Sequence, residues 1–419
     1  MPPLHIAIAG AGIGGLAAAA FLTRDGHHVT LFERFAAPRP LGAGLMLQPT
    51  GLACLAQLGL DRAAIAQGEV IARLWGETVS GKRIFDVAYG EIGPKVFGLA
   101  MHRATLFGIL YGDVVRLGVP MVPATEIAAS RLASDKRLLI DAAGREHGPF
   151  DLVIDGTGMR STLRRSEMRL AYDAPCSYGA IWGIVAEPAG WPHRGELRQR
   201  YDGCYVMIGI LPVGRAPGDD RRLTALFWSL RVADYAAWRE TGLEAWKARV
   251  ISLWPAAAPF VEQIKSPDEM TLAAYADTGL RRPYGERIVC LGDAARSTSP
   301  QLGQGANLAL IDAATLSACL REQADVAAAL AIYAIQRRAH TRFYAIASRW
   351  LTPFFQSDSR SAALLRDLTF PLMGHVPYLR REMVRTLSGM KTGLFSHLDP
   401  GQWHPDYALA GPALSSQPA

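Results

Sequence analysis

Positions 4–15 read LHIAIAGAGIGG, a short apolar run that passes into closely spaced glycines. An apolar run of this length predicts a buried strand. A helical pattern follows from Ile13 to Asp25 and stops at Gly26, and a second strand ends in Glu33, 18 residues beyond Gly15. Strand, glycine turn, helix, strand and terminal acid in this register are typical of a dinucleotide-binding βαβ unit. The stretch therefore predicts an α/β fold that begins with a Rossmann-type unit.

The glycines of this turn have separate physical roles. Gly10 permits the tight turn, Gly12 lets the backbone approach a pyrophosphate, and Gly15 lets helix and strand pack closely. The helix N-terminus faces the phosphates, and Glu33 accepts hydrogen bonds from ribose hydroxyls. An acid there suits an adenosine ribose without a 2′-phosphate, as in FAD or NAD. The predicted cofactor-binding residues of this unit are Gly10, Ala11, Gly12, Ile13, Gly14, Gly15, Glu33 and Arg34.

A second motif lies in the last third of the chain. The apolar run 288–291 predicts another buried strand, which ends in Gly292-Asp293. A loop with Pro300, Gly303 and Gly305 follows, and a helical pattern begins at about residue 307. This geometry offers a carboxylate to a polyol and backbone N–H groups to an anion or an electron-rich ring.

These residues resemble the second flavin motif of a known family. Gly292-Asp293-Ala294-Ala295, Pro300 and 303–307 (GQGAN) are similar to that motif in the single-component FAD-dependent monooxygenases, the para-hydroxybenzoate hydroxylase-like aromatic hydroxylases. In that family the Asp binds the ribityl chain of FAD, the loop lies along the isoalloxazine ring, and an Arg at a helix start reaches the pyrophosphate. The resemblance adds these cofactor-binding residues: Arg103, Asp293, Pro300, Gly303, Gln304, Gly305, Ala306 and Asn307.

Two further positions are interpreted through the same resemblance. The loop and strand 39–49 pass near the flavin ring in the family, so Gln48 is either a flavin-edge contact or a surface residue. The family carries an Asp that serves FAD and the nicotinamide cofactor where this chain has Thr157. Asp155 lies two residues earlier, and whether it substitutes is left open. The presence of Thr157 in place of the family Asp is expected to affect the reduction of FAD by NAD(P)H more than it affects FAD binding.

The chain order predicts a Rossmann-type FAD-binding domain in three parts, a β-rich substrate domain and C-terminal helices. The three parts of the FAD-binding domain are predicted at 1–72, 98–170 and 281–350. The substrate domain is predicted at 171–280, as an antiparallel sheet plus a helix at 238–254, with an additional hairpin at 73–97. A helical region at 351–407 and a disordered tail at 408–419 complete the predicted organisation.

Aromatic residues recur on the strands of the middle domain. In the resembling family an antiparallel sheet here forms the floor of the substrate cavity over the flavin. The predicted substrate contacts are Trp182, Tyr205, Met207 and Trp228, although aromatic residues on strands also serve as ordinary core. The catalytic residues stay unknown, with the Pro300 loop expected near the flavin and Tyr205 and His193 as the candidates for acid–base work.

The C-terminal segment 364–387 is basic and amphipathic, with Arg380, Arg381 and Arg385 beside leucines. It somewhat resembles that of ubiquinone-biosynthesis hydroxylases, which act on membrane-resident phenols. The favoured interpretation is a helix that packs back on the domain or on a partner subunit in a homodimer. The second interpretation is a peripheral contact with anionic lipid.

The charge, the cysteine count and the N-terminal sequence limit which ligands and which cellular locations fit the chain. The 419 residues carry a formal charge of +6 with no long basic run, which favours small anionic ligands over nucleic acid. Five widely spaced cysteines without a C-x-x-C argue against a disulfide framework and a zinc site, and they fit a reducing cytoplasm. The apolar N-terminus lacks a basic flank, so neither a signal peptide nor a membrane span is predicted.

The resemblance implies an FAD-dependent monooxygenase that hydroxylates an aromatic small molecule. NADH or NADPH reduces FAD, O2 adds to the flavin C4a, and the terminal oxygen of this hydroperoxide passes to the ring. A flavoprotein reductase or dehydrogenase on the same fold, and a flavin-binding protein with impaired reduction, are the alternatives. A flavin-dependent halogenase is disfavoured because its Trp-x-Trp-x-Ile-Pro pattern is missing.

Overall fold

The fold is known from a computed structural model, which describes residues 1–38 and 44–409. The predicted loop residues 39–43, and all but the first two residues of the predicted disordered tail, lie outside the described residues. Strands and helices are numbered along the chain.

A six-stranded sheet organises the N-terminal unit. Its strands are β1 (His5–Ala9), β2 (His28–Phe32), β8 (Met121–Val122), β12 (Leu152–Asp155), β18 (Tyr284–Gly285) and β19 (Ile288–Cys290), in the spatial order β18-β19-β12-β1-β2-β8. All neighbours are parallel except β18 and β19. Ala9, Asp155 and Cys290 are in register, so the loops after three strands leave the same edge of the sheet.

An eight-stranded sheet forms the second layer. Its strands are β5 (Arg73–Thr78), β6 (Arg83–Ala88), β13 (Leu170–Ala186), β14 (Glu196–Asp202), β15 (Val206–Ala216), β16 (Asp219–Arg231), β17 (Thr271–Leu280) and β20 (Arg296–Ser297), in the order β20-β17-β13-β16-β15-β14-β5-β6. Only the pairing of β14 with β5 is parallel. The β-branched and aromatic alternation of these segments suits strands that cover a core.

Two small antiparallel sheets connect these layers. They contain β3 (Gly44–Leu47), β4 (Glu69–Ile71) and β7 (Gly98–His102), and β9 (Ile127–Ala133), β10 (Lys136–Asp141) and β11 (Glu146–Phe150). The helices of the described residues are α1 (Ile13–Arg24), α2 (Pro49–Gln57), α3 (Asp61–Gln67), α4 (Arg103–Arg116), α5 (Thr162–Glu167), α6 (Tyr235–Thr241), α7 (Leu243–Leu253), α8 (Ala258–Val261), α9 (Gly305–Glu322), α10 (Val326–Phe355), α11 (Arg360–Met373) and α12 (Pro377–Leu387). The predicted α/β class with a β-rich layer and C-terminal helices is confirmed.

Apolar side chains divide into cores on both sides of each sheet. The largest core packs α1, α4, α9 and the start of α10 against one face of the six-stranded sheet. On the eight-stranded sheet, one face packs against α7 and α8, while the other, which includes residues of β5 and β6, packs against the C-terminal helices. The helices of the last third therefore bridge the two layers.

Three helical predictions need correction. The helix predicted at 238–254 is two helices, because Gly242 has φ +89° between α6 and α7. The long helical run after residue 307 is also interrupted, since Asp325 caps a new helix by accepting the Ala328 N–H. That helix, α10, crosses the domain boundary predicted at 350/351, with Pro353 in its last turn and Phe355 packed in a core. The other domain boundaries stay predictions.

In the part of the chain that the structure describes, none of the helices is both long and apolar enough to cross a membrane.

Candidate active site

The glycine turn after β1 has the shape that the sequence predicts. Gly10 has φ +96°, and an added Cβ would stand 2.6 Å from the Gly156 carbonyl oxygen. A Cβ on Gly15 would stand 2.0 Å from the Gly10 carbonyl oxygen. At Gly12, by contrast, no described atom lies within 4 Å of the Cβ position. The turn is therefore packed tightly on its inner side and open in front of the N-terminus of α1.

Glu33 is fixed beside this turn. Its carboxylate accepts the backbone N–H of Ala11 at 2.9 Å and that of Phe35 at 3.0 Å, and the side chain is buried. The neighbouring Arg34 is exposed, with its guanidinium 4.7 Å from the Phe35 ring centroid. An ionised carboxylate can accept about four hydrogen bonds, so Glu33 keeps capacity for ribose hydroxyls.

Asp293 lies in a short 3-10 turn directly after β19. One carboxylate oxygen is 3.7 Å from the position a Cβ would take on Gly305, the first residue of α9. The side chain is open to the cleft but enclosed by protein on its other sides. This enclosure raises the pKa of Asp293 by desolvation, while Arg103 and Arg164 oppose the shift. The carboxylate is thus held in a costly environment that a hydrogen-bonding ligand would relieve.

Arg103 opens α4 and faces the same cleft. It forms no ion pair with any residue that the structure describes, although it lies close enough to Asp293 to affect its ionisation. Preceding it, His102 caps the helix by accepting the Ala104 N–H at 3.2 Å, and burial lowers the pKa of its imidazole. His102 therefore has a structural role, and Arg103 is available to an anionic ligand.

The two glycine motifs meet at Ala309 of α9. Its methyl carbon is 3.3 Å from the Cβ position of Gly14 and 3.0 Å from that of Gly292. The first and second motifs, about 280 residues apart in sequence, therefore line one cleft. The open space at Gly12, two carboxylates that can meet ribose or ribityl hydroxyls, and an unpaired Arg103 fit FAD.

The polar side chains of the loop from Pro300 to Asn307 are bonded within the protein, so the loop offers its backbone to a ligand. Pro300 is exposed and Gly303 has φ +62°, which turns the chain into α9. Gln304 donates to the carbonyl oxygens of Leu302 at 2.9 Å and Leu387 at 2.8 Å, so its amide points into the protein. Asn307 is fully buried and ties α9 to β3 through the Met46 carbonyl oxygen at 3.1 Å. Gly305 and Ala306 remain accessible at the helix start.

Gln48 is not a surface residue. Its side chain is buried, its backbone N–H donates to the Asn307 amide oxygen at 2.8 Å, and its own amide oxygen accepts the Tyr89 hydroxyl at 2.7 Å. The fully buried Tyr89 lies at the end of the β5–β6 hairpin. This chain of hydrogen bonds joins the eight-stranded sheet to the loop that opens α9.

We expect Tyr89→Phe to destabilise the fold without a change in volume. The substitution leaves the buried amide oxygen of Gln48 without its donor, which costs about 1–3 kcal/mol of unfolding free energy. Urea unfolding of the two proteins measures the difference. Tyr378→Phe at an exposed position is the matched control, and an equal effect there would contradict the assignment.

The carboxylate of Asp155 points into the protein. It is fully buried and accepts the Thr157 hydroxyl at 2.6 Å, the Thr157 N–H at 3.0 Å and the Ser161 hydroxyl. The Cys290 sulfur also lies 3.5 Å from it. Asp155 therefore holds the loop after β12 together.

Trp182 and Met207 lie on the face of the eight-stranded sheet that does not pack against α7 and α8. Trp182 stacks on Phe227 with 4.5 Å between ring centroids, and its indole N–H donates to the Tyr275 hydroxyl at 3.4 Å. Burial raises the pKa of Tyr275 to about 12, with Arg103 close enough to oppose the shift. Phe227 and Tyr275 were not among the predicted substrate contacts, and they lie on β16 and β17 of the eight-stranded sheet.

Trp228 and Tyr205 need correction as substrate contacts. Trp228 pairs with Ile181 and lies on the other sheet face, 6.3 Å from Trp246 of α7, because neighbouring strand residues point to opposite faces. Tyr205 is 43% exposed in the turn between β14 and β15. Partial burial raises the pKa of its hydroxyl, and the nearby Asp202 adds to this shift. His193 lies beside Glu196 and Trp191 in another turn. The structure does not bring these residues to the cleft.

A buried polar network lies behind the second motif. The Gly292 N–H donates to Asp312 at 3.0 Å, and Arg337 donates to the other oxygen of Asp312 at 2.6 Å. Arg337 also donates to His340 at 2.9 Å, and the second ring nitrogen of His340 donates to the Gly389 carbonyl oxygen at 2.8 Å. Burial lowers the pKa of His340 to about 3, so the ring is neutral. Asp312, a single acid within the apolar run of α9, was the sequence signal that could have indicated this network.

Comparison with known proteins agrees with this geometry. The sequence profile described as FAD binding domain matches residues 4–135 and 217–344. Aurachin C monooxygenase/isomerase of Stigmatella aurantiaca is 27% identical over 379 residues, covering 88% of this chain and 94% of that protein. The 3-amino-4-hydroxybenzoate 2-monooxygenase of Streptomyces cremeus is 29% identical, covering 76% and 78%.

Solved structures share the fold. HpxO of Klebsiella pneumoniae, complexed with FAD and uric acid, superposes with a TM-score of 0.77 at 20% identity and covers 93% of this chain and 98% of its own. The tetrameric form of 2-methyl-3-hydroxypyridine-5-carboxylic acid oxygenase has a TM-score of 0.72 at 23% identity, with 89% and 98% covered.

The fold and the cleft are those of a flavoprotein with a Rossmann-type unit and a second glycine motif before α9. The chain belongs to the FAD binding domain family, among the single-component monooxygenases that resemble para-hydroxybenzoate hydroxylase. It is an FAD-dependent monooxygenase, and the predicted family, enzyme class and FAD cofactor are confirmed.

Proposed function

We propose that the protein hydroxylates a small aromatic molecule, with NADH or NADPH as the reductant of FAD and O2 as the source of the inserted oxygen. The observation that carries the proposal is the position of Arg103. It lies close enough to affect both Asp293, on the cofactor side, and Tyr275, which contacts Trp182 on the eight-stranded sheet. An aromatic wall thus borders the cleft assigned to FAD.

The substrates named for the relatives support this class. They include 3-amino-4-hydroxybenzoate, urate and 6-hydroxynicotinate, which are small rings with oxygen or nitrogen substituents. Such rings are flat and electron-rich, and they pack well against indole and phenyl faces. We therefore propose a carbocyclic or heterocyclic ring of this kind as the substrate.

The side chains around the cleft have distinct roles in this proposal. Bound FAD supplies the electron transfer and the oxygen chemistry. Trp182, Phe227 and Met207 pack the ring and exclude water from it. Tyr275 accepts a hydrogen bond from Trp182, so its own proton is free to donate to an oxygen on the substrate. Because the pKa of Tyr275 is raised to about 12, it remains protonated at neutral pH.

We expect Trp182→Leu to weaken substrate binding and leave FAD content unchanged. Loss of the indole face and of its N–H contact to Tyr275 should raise the substrate dissociation constant roughly 5- to 30-fold. Substrate-induced changes in flavin absorbance measure this binding. Trp228→Leu is the matched control, because Trp228 lies on the opposite sheet face, and its binding should stay at the wild-type level.

Anaerobic reduction of the FAD-loaded enzyme tests the reaction class. Bleaching with NADH or NADPH that a phenol or hydroxylated heterocycle accelerates, followed in air by equal consumption of reductant and O2 and by hydroxylated product, is the expected result. Reduced product formed without O2 would instead identify a reductase. Absence of bleaching with either nicotinamide would favour a flavin-binding protein with impaired reduction, which the burial of Asp155 and the presence of Thr157 motivate.

A further inference from the structure

Helix α11 exposes a continuous stripe of leucine side chains. Leu364, Leu365, Leu368 and Leu372 are between 51% and 66% exposed, and at about 100° per residue they fall within an arc of roughly 100°. The opposite side of α11 holds the helix to the protein through the fully buried Arg366, which donates to the carbonyl oxygens of Gly203 and Phe354. The leucine stripe therefore points away from the body of the molecule.

Helix α10 carries a second outward apolar stripe. Ile335, Ile346 and Trp350 share one side of the helix, and Trp350 is 74% exposed. One turn after Trp350, the Phe354 ring lies 5.6 Å from the Phe370 ring of α11. The exposed indole is thus one turn from the contact between the two helices.

The segment 326–381, which contains both helices, carries an excess of positive charge. Residues 326–381 contain two acids, Asp358 and Asp367, and both are ion-paired, with Arg231 at 2.6 Å and Arg366 at 2.7 Å. The exposed arginines without an ion pair to any described residue are Arg338, Arg342, Arg360 and Arg381. Arg338 and Arg342 lie on the same side of α10 as Ile335 and Ile346, and Arg360 lies on the leucine side of α11. Positive charge without an ion pair to the described residues therefore flanks both stripes.

Helix α12 forms the C-terminal part of the amphipathic segment 364–387 and packs back on the protein, as the favoured interpretation of the sequence predicts. Its Met383 and Leu387 pack against the protein core, and Arg380 and Arg385 pair with Glu91 and Glu382. The exposed apolar stripes considered for docking are those of α11 and α10.

We propose that this surface of α11 and α10 docks the protein on an anionic lipid membrane. The leucines and Trp350 enter the boundary between headgroups and acyl chains, and the four arginines contact lipid phosphates. A two-fold contact with a second copy would place the same arginines against each other, which disfavours self-association through this surface. The proposal is independent of the proposed function, because it requires no turnover.

Vesicle sedimentation of the FAD-loaded full chain tests the proposal. We expect binding to phosphatidylcholine vesicles that contain phosphatidylglycerol, little binding to phosphatidylcholine alone, and release as salt rises. The double variant L364S/L368S should abolish binding, and R342Q/R381Q should weaken it about 25-fold, since each arginine near an anionic surface contributes roughly fivefold. Val115→Ser, which changes an exposed residue on α4, should bind as wild type.

The outcomes separate lipid docking from the alternatives. No binding of the folded wild type to the anionic vesicles, or binding unchanged in L364S/L368S, would overturn the proposal. A concentration-dependent dimer that is lost in L364S/L368S, without vesicle binding, would assign the surface to a second copy instead. Flavin absorbance of each variant confirms that the fold is retained, so that failure here is distinct from failure of the proposed reaction.

Discussion

Asp293→Ala should be purified with little or no FAD. The carboxylate stands beside the start of α9 and is the acid of the second motif, so its loss removes charged hydrogen bonds to the cofactor. Hydrogen bonds to charged groups contribute about 1.5–3 kcal/mol, which corresponds to an affinity roughly 10- to 150-fold lower. Flavin absorbance relative to protein absorbance, followed by titration of the apoprotein with FAD, gives the change.

The stability of the apoprotein distinguishes loss of binding from misfolding. Asp293 is exposed, and its carboxylate accepts no hydrogen bond from the residues that the structure describes, so the folded apoprotein gains little from it. Removing it should leave the apoprotein at least as stable as the wild-type apoprotein. Asp268→Ala, at an exposed carboxylate, should keep its FAD. Full flavin content in Asp293→Ala would refute the role assigned to this residue.

Asp312→Ala should cause the largest loss of stability. Arg337 and Asp312 are both almost fully buried, and removal of the acid leaves the guanidinium and the Gly292 N–H without their acceptor. Breaking a buried ion pair in this way costs about 3–5 kcal/mol. Urea unfolding of the apoprotein measures the cost in the absence of any contribution from FAD.

The double variant Asp312→Leu with Arg337→Met provides the control for charge burial. Replacing both partners with apolar side chains of similar size should recover most of the stability lost in Asp312→Ala, because no buried charge is left alone. Asp367→Ala, whose partner Arg366 keeps its carbonyl acceptors, should cost less. Equal losses in Asp312→Ala and the double variant would show that packing, and not charge, governs this site.

The nucleotide half of the site could be predicted from sequence because its geometry is local. A strand, Gly10, α1 and β2 are contiguous, and Glu33 follows at a fixed spacing, so periodicity and glycine positions suffice. Asp293 and Arg103 came instead from the resemblance to a family. The meeting of Asp293 with the glycine turn at one sheet edge depends on the parallel register of β1, β12 and β19, which no local pattern contains.

The substrate side was harder to predict because a strand pattern gives two faces without saying which one lines the cleft. Trp182 pairs with Phe227, and Ile181 pairs with Trp228, so the two tryptophans must lie on opposite faces once the register is known. The break at Gly242 was missed because the apolar periodicity continues through it. The Asp312 network was missed because its members come from four separate segments.

The packing of α1 against α9 has a consequence for biosynthesis. Leu16 and Leu22 of α1 are fully buried in a core that also contains Leu310 and Leu316 of α9, nearly 300 residues later. At about 5–20 residues per second, a ribosome needs roughly 15–60 s to make that intervening chain. During this interval the part of α1 that α9 covers has no native partner and is exposed to aggregation. Asp293 emerges on the same late segment, so the core around α1 and the cleft assigned to FAD are completed together.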